Sequence, residues 1–305
     1  MLKYFIKKLI LTILVLFGVA TCAFLLLKFI PGDPAEALAG PQATLEDIEN
    51  LRRSMGLDAP IGEQYVIYMI NLVKGDFGYS YRTNKPVREM IFRCWPATLQ
   101  LSLVSLLMAI LVGVPLGIYA ATKRGTLADT ISMVLAFIGL SMPSFWLGLL
   151  LILIFGVKFP IFPFYGRQGL SSFVLPSLTV GWGIAANIAR MTRASMLEVL
   201  GQDYIRTARG KGLKEGKVIY IHALRNASIS IITIIGLQMG HLLGGQVVTE
   251  TIFSWPGVGR MIVDALMSRD LQIVQMGIIV IAFTFSILNL LTDLSYAILD
   301  PRIRY

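Results

Sequence analysis

The sequence predicts an all-α membrane protein with six transmembrane helices, on three observations. Hydrophobic residues make up 55% of the chain and charged residues only 15%, with a mean hydropathy of +0.71, which is too apolar for a soluble domain. Six apolar stretches reach or approach the ~20 residues that a helix needs to cross the hydrocarbon core. They are Leu9 to Ile30, Ala97 to Ala121, Ile131 to Val157, Phe173 to Ala189, Ala227 to Val248 and Ile273 to Leu291. Their continuity, without period-two alternation, argues against a membrane barrel.

The first stretch follows a signal-like basic start at Lys3, Lys7 and Lys8. It outlasts a signal h-region of roughly 15 residues and no small-residue cleavage site follows, so it reads as a retained anchor. The VATC before Cys22 is a poor lipobox, because Ala23 to Leu27 continue the apolar run. The fourth stretch is the shortest and carries Pro176, Gly181 and Gly183, which makes it the span most readily lost. Cys22 sits in an apolar run and Cys94 in a segment read as a polar loop; a disulfide between them is not expected.

The net charge of +9 follows from basic loops retained on one side of a membrane. With the N-terminus inside, fifteen Lys and Arg fall on the cytoplasmic side: Lys3, Lys7, Lys8, Lys123, Arg124, eight between Arg190 and Arg225, then Arg302 and Arg304. The short outer loops hold five, Lys28, Lys158, Arg167, Arg260 and Arg269, and an external segment as long as 31–95 does not vote on topology. Both termini are therefore expected in the cytoplasm. The organisation reads as a first helix over 1–30, an external segment over 31–95, and a five-helix core over 96–300 that includes a cytoplasmic loop at 190–226. Within the external segment, Thr44 to Leu57 combines a capping Thr with Leu45, Ile48, Leu51 and Met55 at helical spacing, which predicts a short amphipathic helix. Tyr65 to Val73 is a second helical candidate, either peripheral or packed on the bundle.

Basic residues and glycines concentrate in DYIRTARGKGLKEGKVIY, Asp203 to Tyr220. Neither phosphate-loop spacing fits: position 215 is Glu where a third dinucleotide-loop glycine belongs, and Lys211 stands where a P-loop needs its first glycine. The segment lies between two membrane spans with only Tyr204 and Tyr220 as aromatics, so nucleic acid is not an expected partner. A plain positive-inside loop needs only charge, whereas this segment also specifies shape. A helical run from Ser195 to Arg209 is followed by breaks at Gly210 and Gly212 and a second run through Asn226.

No catalytic residue or metal site is expected: His222 and His241 stand apart without ligand partners, and no hydrolase or metalloprotease motif is present. His222 reads as structural. The polar residues Asn187, Gln238, His241, Gln246 and Glu250 fall in the fourth and fifth spans, where burial in lipid is costly. They are candidates either for lining a pathway or for tying helices together. The glycines of GLQMGHLLGGQVVTE permit close helix approach. Asp293, near the inner end of the sixth span, suggests an ion pair with a cytoplasmic-side Arg.

Across nearly the whole chain, the motifs IPGDP (30–34), GDFGYS (75–80), PATLQLS (96–102), SMPSFW (141–146), FSWPGVGR (253–260) and LDPRIRY (299–305) resemble the permeases of bacterial ATP-binding-cassette (ABC) importers. The similarity is to the dipeptide, oligopeptide and nickel branch. It implies a type I importer transmembrane domain in a bacterial inner membrane. The family's cytoplasmic motif, EAA, three residues, G, nine residues, I-x-L-P, places its glycine on Gly212. Its first letters then fall on Arg206, Thr207 and Ala208, and its last on His222, Ala223, Leu224 and Arg225. Only Ala208, Gly212 and Leu224 match the general form, and the departures resemble the variant of the peptide and nickel branch.

The resemblance implies a coupling helix seated on an ATPase subunit, with Asp203, Tyr204, Ile205, Arg206, Thr207, Ala208, Arg209, Gly210, Lys211 and Gly212 as the contact segment. Arg206, Arg209 and Lys211 are expected at its rim, with Tyr204, Ile205 and Ala208 packing on the partner. Expected partners are a second homologous permease, two ATPase subunits that carry ATP and Mg²⁺, a solute-binding protein and membrane lipid; the chain itself needs no cofactor and is not an enzyme. The expected cargo is a di- or oligopeptide, with nickel or a metal chelate as the alternative. An ATP-independent secondary transporter or channel is the rival from another class, and a membrane scaffold the third.

Overall fold

The computed structural model describes residues 2–29, 34–39 and 43–299. Most of IPGDP and LDPRIRY, with Arg302 and Arg304, and the side chain of His241 lie outside the described residues. Among the described residues every regular element is helical, apart from one isolated bridge between Tyr79 and Pro86.

The chain opens with α1, Leu2–Phe29, followed by three short helices, α2 Pro34–Ala39, α3 Leu45–Ser54 and α4 Ile61–Lys74. α3 begins where the sequence predicts: Thr44 accepts from Asp47 N, and the Asp47 carboxylate accepts from Thr44 N at 3.0 Å, a capping box. These bonds from Thr44 hold the Asp47 carboxyl below its ordinary range. α4 lies on the outer part of α1 through Tyr65, Tyr68 and Phe24.

α5, Val87–Thr122, starts ten residues before the expected span and runs through Pro96. Arg88, Glu89 and Arg93 give that stretch a polar look, but Val87 and Ile91 point inward and are fully buried, so Cys94 is helical. Both cysteines are free.

α6, Leu127–Ser141, and α7, Ser144–Leu151, which continues as a π turn to Lys158, form one bent pair with a 104° turn. The third span is therefore broken. Pro143 lacks an amide hydrogen and biases Met142 to extended backbone, observed at φ −81°, ψ 124°.

α8, Val174–Leu200, corrects a second expectation. The stretch read as most readily lost is a continuous 27-residue helix, buried over 61% of its apolar window, the most enclosed of the spans. Its small residues are the reason: a Cβ at Gly113 of α5 would stand 2.6 Å from Ala185 O, and one at Gly117 would stand 2.5 Å from Ala189 O. Glycine on one helix and alanine on the other bring α5 and α8 into backbone contact.

Beyond α8 come α9, Asp203–Gly210, and α10, Glu215–Lys217, which passes through a π turn into α11, Leu224–Ile252. α12, Val258–Met267, and α13, Leu271–Leu299, complete the chain. Among the described residues five helices are long and apolar enough to cross a membrane, and the bent pair makes a sixth. Successive spans alternate direction. The start of α1 and the late turns of α13 therefore share the end of the bundle that carries α9, where Lys8 pairs with Asp293 at 2.7 Å. Asp293 thus bonds a lysine of the first helix, in place of the expected arginine.

Candidate functional site

The α9 end, basic in sequence, presents a short helix on an apolar base. α8 stops at Leu200, and Gln202 turns extended at φ −75°, ψ 151°, so that α9 starts as a separate helix. The helical run expected from Ser195 to Arg209 is thus interrupted at Gly201. Within α9, Ile205 and Ala208 share one face three residues apart. They enter a cluster with Ile118 and Ala121 of α5, Met196 of α8, and Val218, Ala223, Ala227 and Ile231. Ile205 is fully buried.

The other face is polar and exposed. It offers Asp203, Tyr204, Arg206, Thr207, Arg209, Gly210 and Lys211. Arg209 makes two bonds to Glu215, at 3.1 and 2.6 Å, which raise its guanidinium above its ordinary value. Asn226 donates to the Tyr204 hydroxyl at 2.6 Å, and Arg206 lies 3.5 Å from Asp203. Gly212 takes φ +75° with its amide bonded to Arg209 O at 2.9 Å. No atom lies within 4 Å of where its Cβ would be, so the need for glycine there is conformational, not steric.

This arrangement corrects the expected contact set. Ile205 and Ala208 turn into the protein's own core because they are the only apolar pair on one side of α9, and neither is free to pack on a partner. Tyr204, half-exposed, remains on the outward face. His222 is half-buried in the π turn leading to α11, its carbonyl accepting from Asn226 at 3.4 Å.

The polar candidates of the spans divide. Asn187 is half-buried and accepts from Arg190 at 3.3 Å, and Gln238 is buried. Gln246 and Glu250 are enclosed in a network at the opposite end, which places them between helices and off any open surface. Glu250 accepts from Thr98 Oγ1 at 2.6 Å and from Arg260 N at 3.0 Å, and the amide of Gln246 lies 2.9 Å from Ser102 Oγ. Thr98 Oγ1 in turn accepts from Val258 N at 2.9 Å. Gly257 and Gly259 leave the space that the Glu250 carboxylate occupies; a Cβ at either would run into it. Trp255, fully buried, donates to Ala97 O at 2.9 Å and meets Phe173 edge to face. The FSWPGVGR turn is thus fastened to α5 by hydrogen bonds on several sides.

Two carboxylates escaped the sequence reading. Asp129 makes a two-point bond with Arg193 at 2.6 and 2.7 Å, joining the start of α6 to α8 above α9. Asp270 accepts from Ser80 Oγ at 2.5 Å and from Tyr81 N at 3.3 Å, clamping the loop before α5 to the α12–α13 corner. The available signal was each acid's position at the very start of an apolar run, where a charge must find a partner. Among the described residues no group of three His, Cys, Asp or Glu could hold a metal ion.

A six-span helical bundle with a short, glycine-ended helix before its fifth span defines a multi-pass membrane protein. The chain belongs to the binding-protein-dependent transport system inner membrane component family: the family model matches residues 113–305, and the model of its N-terminal part matches 1–102. It is accordingly a multi-pass inner-membrane permease subunit of an ABC importer, in a family whose ATPase resides in separate subunits. The dipeptide transport system permease protein DppB of Alkalihalophilus pseudofirmus is 42% identical, with both chains covered in full. The glutathione transport system permease protein GsiC of Escherichia coli strain K12 is 44% identical over 305 residues, again covering both in full. Among solved structures, the inward-facing MetNI methionine ABC transporter aligns with a TM-score of 0.59 at 17% identity, over 70% of this chain and 98% of that one. An amino acid ABC transporter with histidines gives 0.51 at 14%, over 70% and 94%. These two likenesses establish the fold.

Proposed function

We propose that this chain forms half of a translocation pore for di- or oligopeptides, paired with a second homologous permease and served by two ATPase subunits and a solute-binding protein. The observation that carries the cargo class is the full-length match to permeases named for dipeptide and for glutathione transport. Glutathione is itself a small peptide, so the two names share one chemistry. The chain needs no cofactor of its own; ATP and Mg²⁺ belong to the ATPases.

In this reading the α9 end faces the cytoplasm with both termini, and the exposed face of α9 is the contact with an ATPase. Asp203, Tyr204, Arg206, Thr207 and Lys211 supply a polar rim around one aromatic side chain. The buried Ile205 and Ala208 join α9 to α5, α8 and the base of α11. A displacement of α9 driven by ATPase closure is therefore carried into those helices as a packed unit, and access to the pore changes with it.

The test is reconstitution of the importer with its binding protein in proteoliposomes. Dipeptide uptake that depends on ATP, and a binding protein that retains a peptide, support the reading. A binding protein that takes only a metal ion or chelate overturns the cargo, and uptake by this chain without ATPases overturns the class. Arg206→Glu on the exposed face is expected to lower uptake while ATP hydrolysis and assembly persist; unchanged uptake removes the coupling role.

A further inference from the structure

The segment 31–95 looks external throughout, yet its two main helices expose opposite chemistries. α3 turns Glu46, Asp47, Glu49, Asn50, Arg52 and Arg53 to the surroundings, as a helix in water does. α4 exposes Val66, Ile67, Ile70 and Val73, the last at 86%. These four fall on one arc of the helix, and no charged residue lies between Gln64 and Val73; Glu63 and Lys74 flank the run.

The opposite arc of α4 fixes its depth. Tyr65 OH and Thr21 Oγ1 are 2.7 Å apart, Tyr68 donates to Ala20 O at 3.1 Å, and Phe24 meets both rings, that of Tyr65 edge to face. The apolar span of α1 extends from Phe5 to Leu26. Thr21 is five residues inside that limit, which at the α-helical rise is about 8 Å below the edge of the hydrocarbon. At the shallow end Lys28 donates to Gln64 Oε1, which puts the start of α4 at the headgroup level, where lysine side chains reach for water. Helix α4 therefore descends beside α1 from the headgroups into the acyl region.

We infer that α4 is an interfacial membrane helix, with the Val66, Ile70 and Val73 face immersed in the acyl chains of the leaflet farthest from α9, while Ile67 borders a cavity shared with Lys28, Asn71 and Asp76. The partner of this surface is lipid. Several observations select lipid over water or protein. The exposed arc is purely aliphatic, and such a stripe in water is unfavourable at about 25 cal/mol per Å² of apolar surface. The flanking tyrosines and Lys28 are the residue types of a membrane boundary. The neighbouring α1 is the least enclosed span, with Leu9, Ile10, Ile13, Leu14 and Phe17 all exposed along it, so α4 continues a surface that already faces lipid. By this inference the first span is a two-helix anchor, and α2, α3 and the charged 75–86 loop of segment 31–95 stand in water.

Site-directed spin labelling of the complete importer in lipid nanodiscs tests this, in a background carrying Cys22→Ser and Cys94→Ser. Nitroxides are placed singly through Val66→Cys, Ile70→Cys and Val73→Cys, with Asn50→Cys on α3 as the water reference. Collisions with molecular oxygen and with a water-soluble nickel chelate are compared. The expected result is mobile labels at 66, 70 and 73 with an oxygen-to-nickel collision ratio several-fold above that at 50. A ratio equal to that at 50 overturns the inference in favour of water. Immobilised labels shielded from both reagents overturn it in favour of a covering protein. Neither outcome depends on the cargo or on the coupling role of α9.

Discussion

The two ends of the bundle are stabilised by different chemistry. At the α9 end, the short helix rests on a cluster of aliphatic side chains, with its hydrogen bonds and ion pairs on the exposed surface. At the opposite end, the turn between α11 and α12 is held by a buried carboxylate, a buried indole and backbone amides, beside a small apolar cluster of Ala97, Leu101, Phe173 and Trp255. Apolar packing is non-directional and tolerates small shifts of the packed elements, whereas a network of short, aligned hydrogen bonds specifies one geometry. The α9 end, which the proposed function sets against an ATPase, is seated on the first kind of contact, and the turn at the opposite end is built from the second.

Glu250→Ala should break this contrast most severely. It strips Thr98 Oγ1 and Arg260 N of their acceptor in a buried site, at a cost of about 4 kcal/mol. The purified complex should lose thermal stability and the 253–260 turn should become accessible to protease. An unchanged melting midpoint would show that the network is not what holds the turn.

Next in size is Ile205→Ala, which empties a fully buried position beneath α9 and costs about 3 kcal/mol. Because the loss lies at the α9 end, ATP hydrolysis and uptake should fall out of proportion to each other. Proportional loss would indicate general destabilisation instead. Gly212→Ala introduces a side chain at φ +75°, where L-residues are disfavoured by about 1 kcal/mol. Since no atom stands near the new methyl, the expectation is a correctly assembled complex with reduced uptake, read by transport in proteoliposomes. The smallest effect belongs to Arg209→Ala, which removes an exposed pair with Glu215 worth about 0.5 kcal/mol. Its thermal midpoint should stay within error of the parent's. A large drop would mean that surface bonds, and not the aliphatic cluster, fix α9.

Much of the architecture was legible from the sequence because the bilayer imposes it. Apolar runs of near-spanning length report crossings directly, and the α3 cap followed from Thr44 and its neighbours alone. The end of α9 was likewise visible, through its glycines, whereas its start, at the break after Leu200, was not. The misreadings have a common origin. The α8 stretch looked weak because it is short and carries Pro176, Gly181 and Gly183, yet its small residues are what let it meet α5 backbone to backbone. The start of α5 looked like loop because its charges are on one face and Val87 and Ile91 on the other.

By itself the sequence determined the spans, the basic end and the location of the short helix between α8 and α11, since local composition governs solvent choice and glycine governs chain breaks. Only the tertiary structure decided which way side chains turn. Ile205 and Ala208 became floor in place of contact, Gln246 and Glu250 took helix-tying bonds, one of the two roles open to them, and Asp129 found Arg193 across two helices. The physical reason is that burial and pairing depend on neighbours far away in the chain, and no local pattern of residues records them.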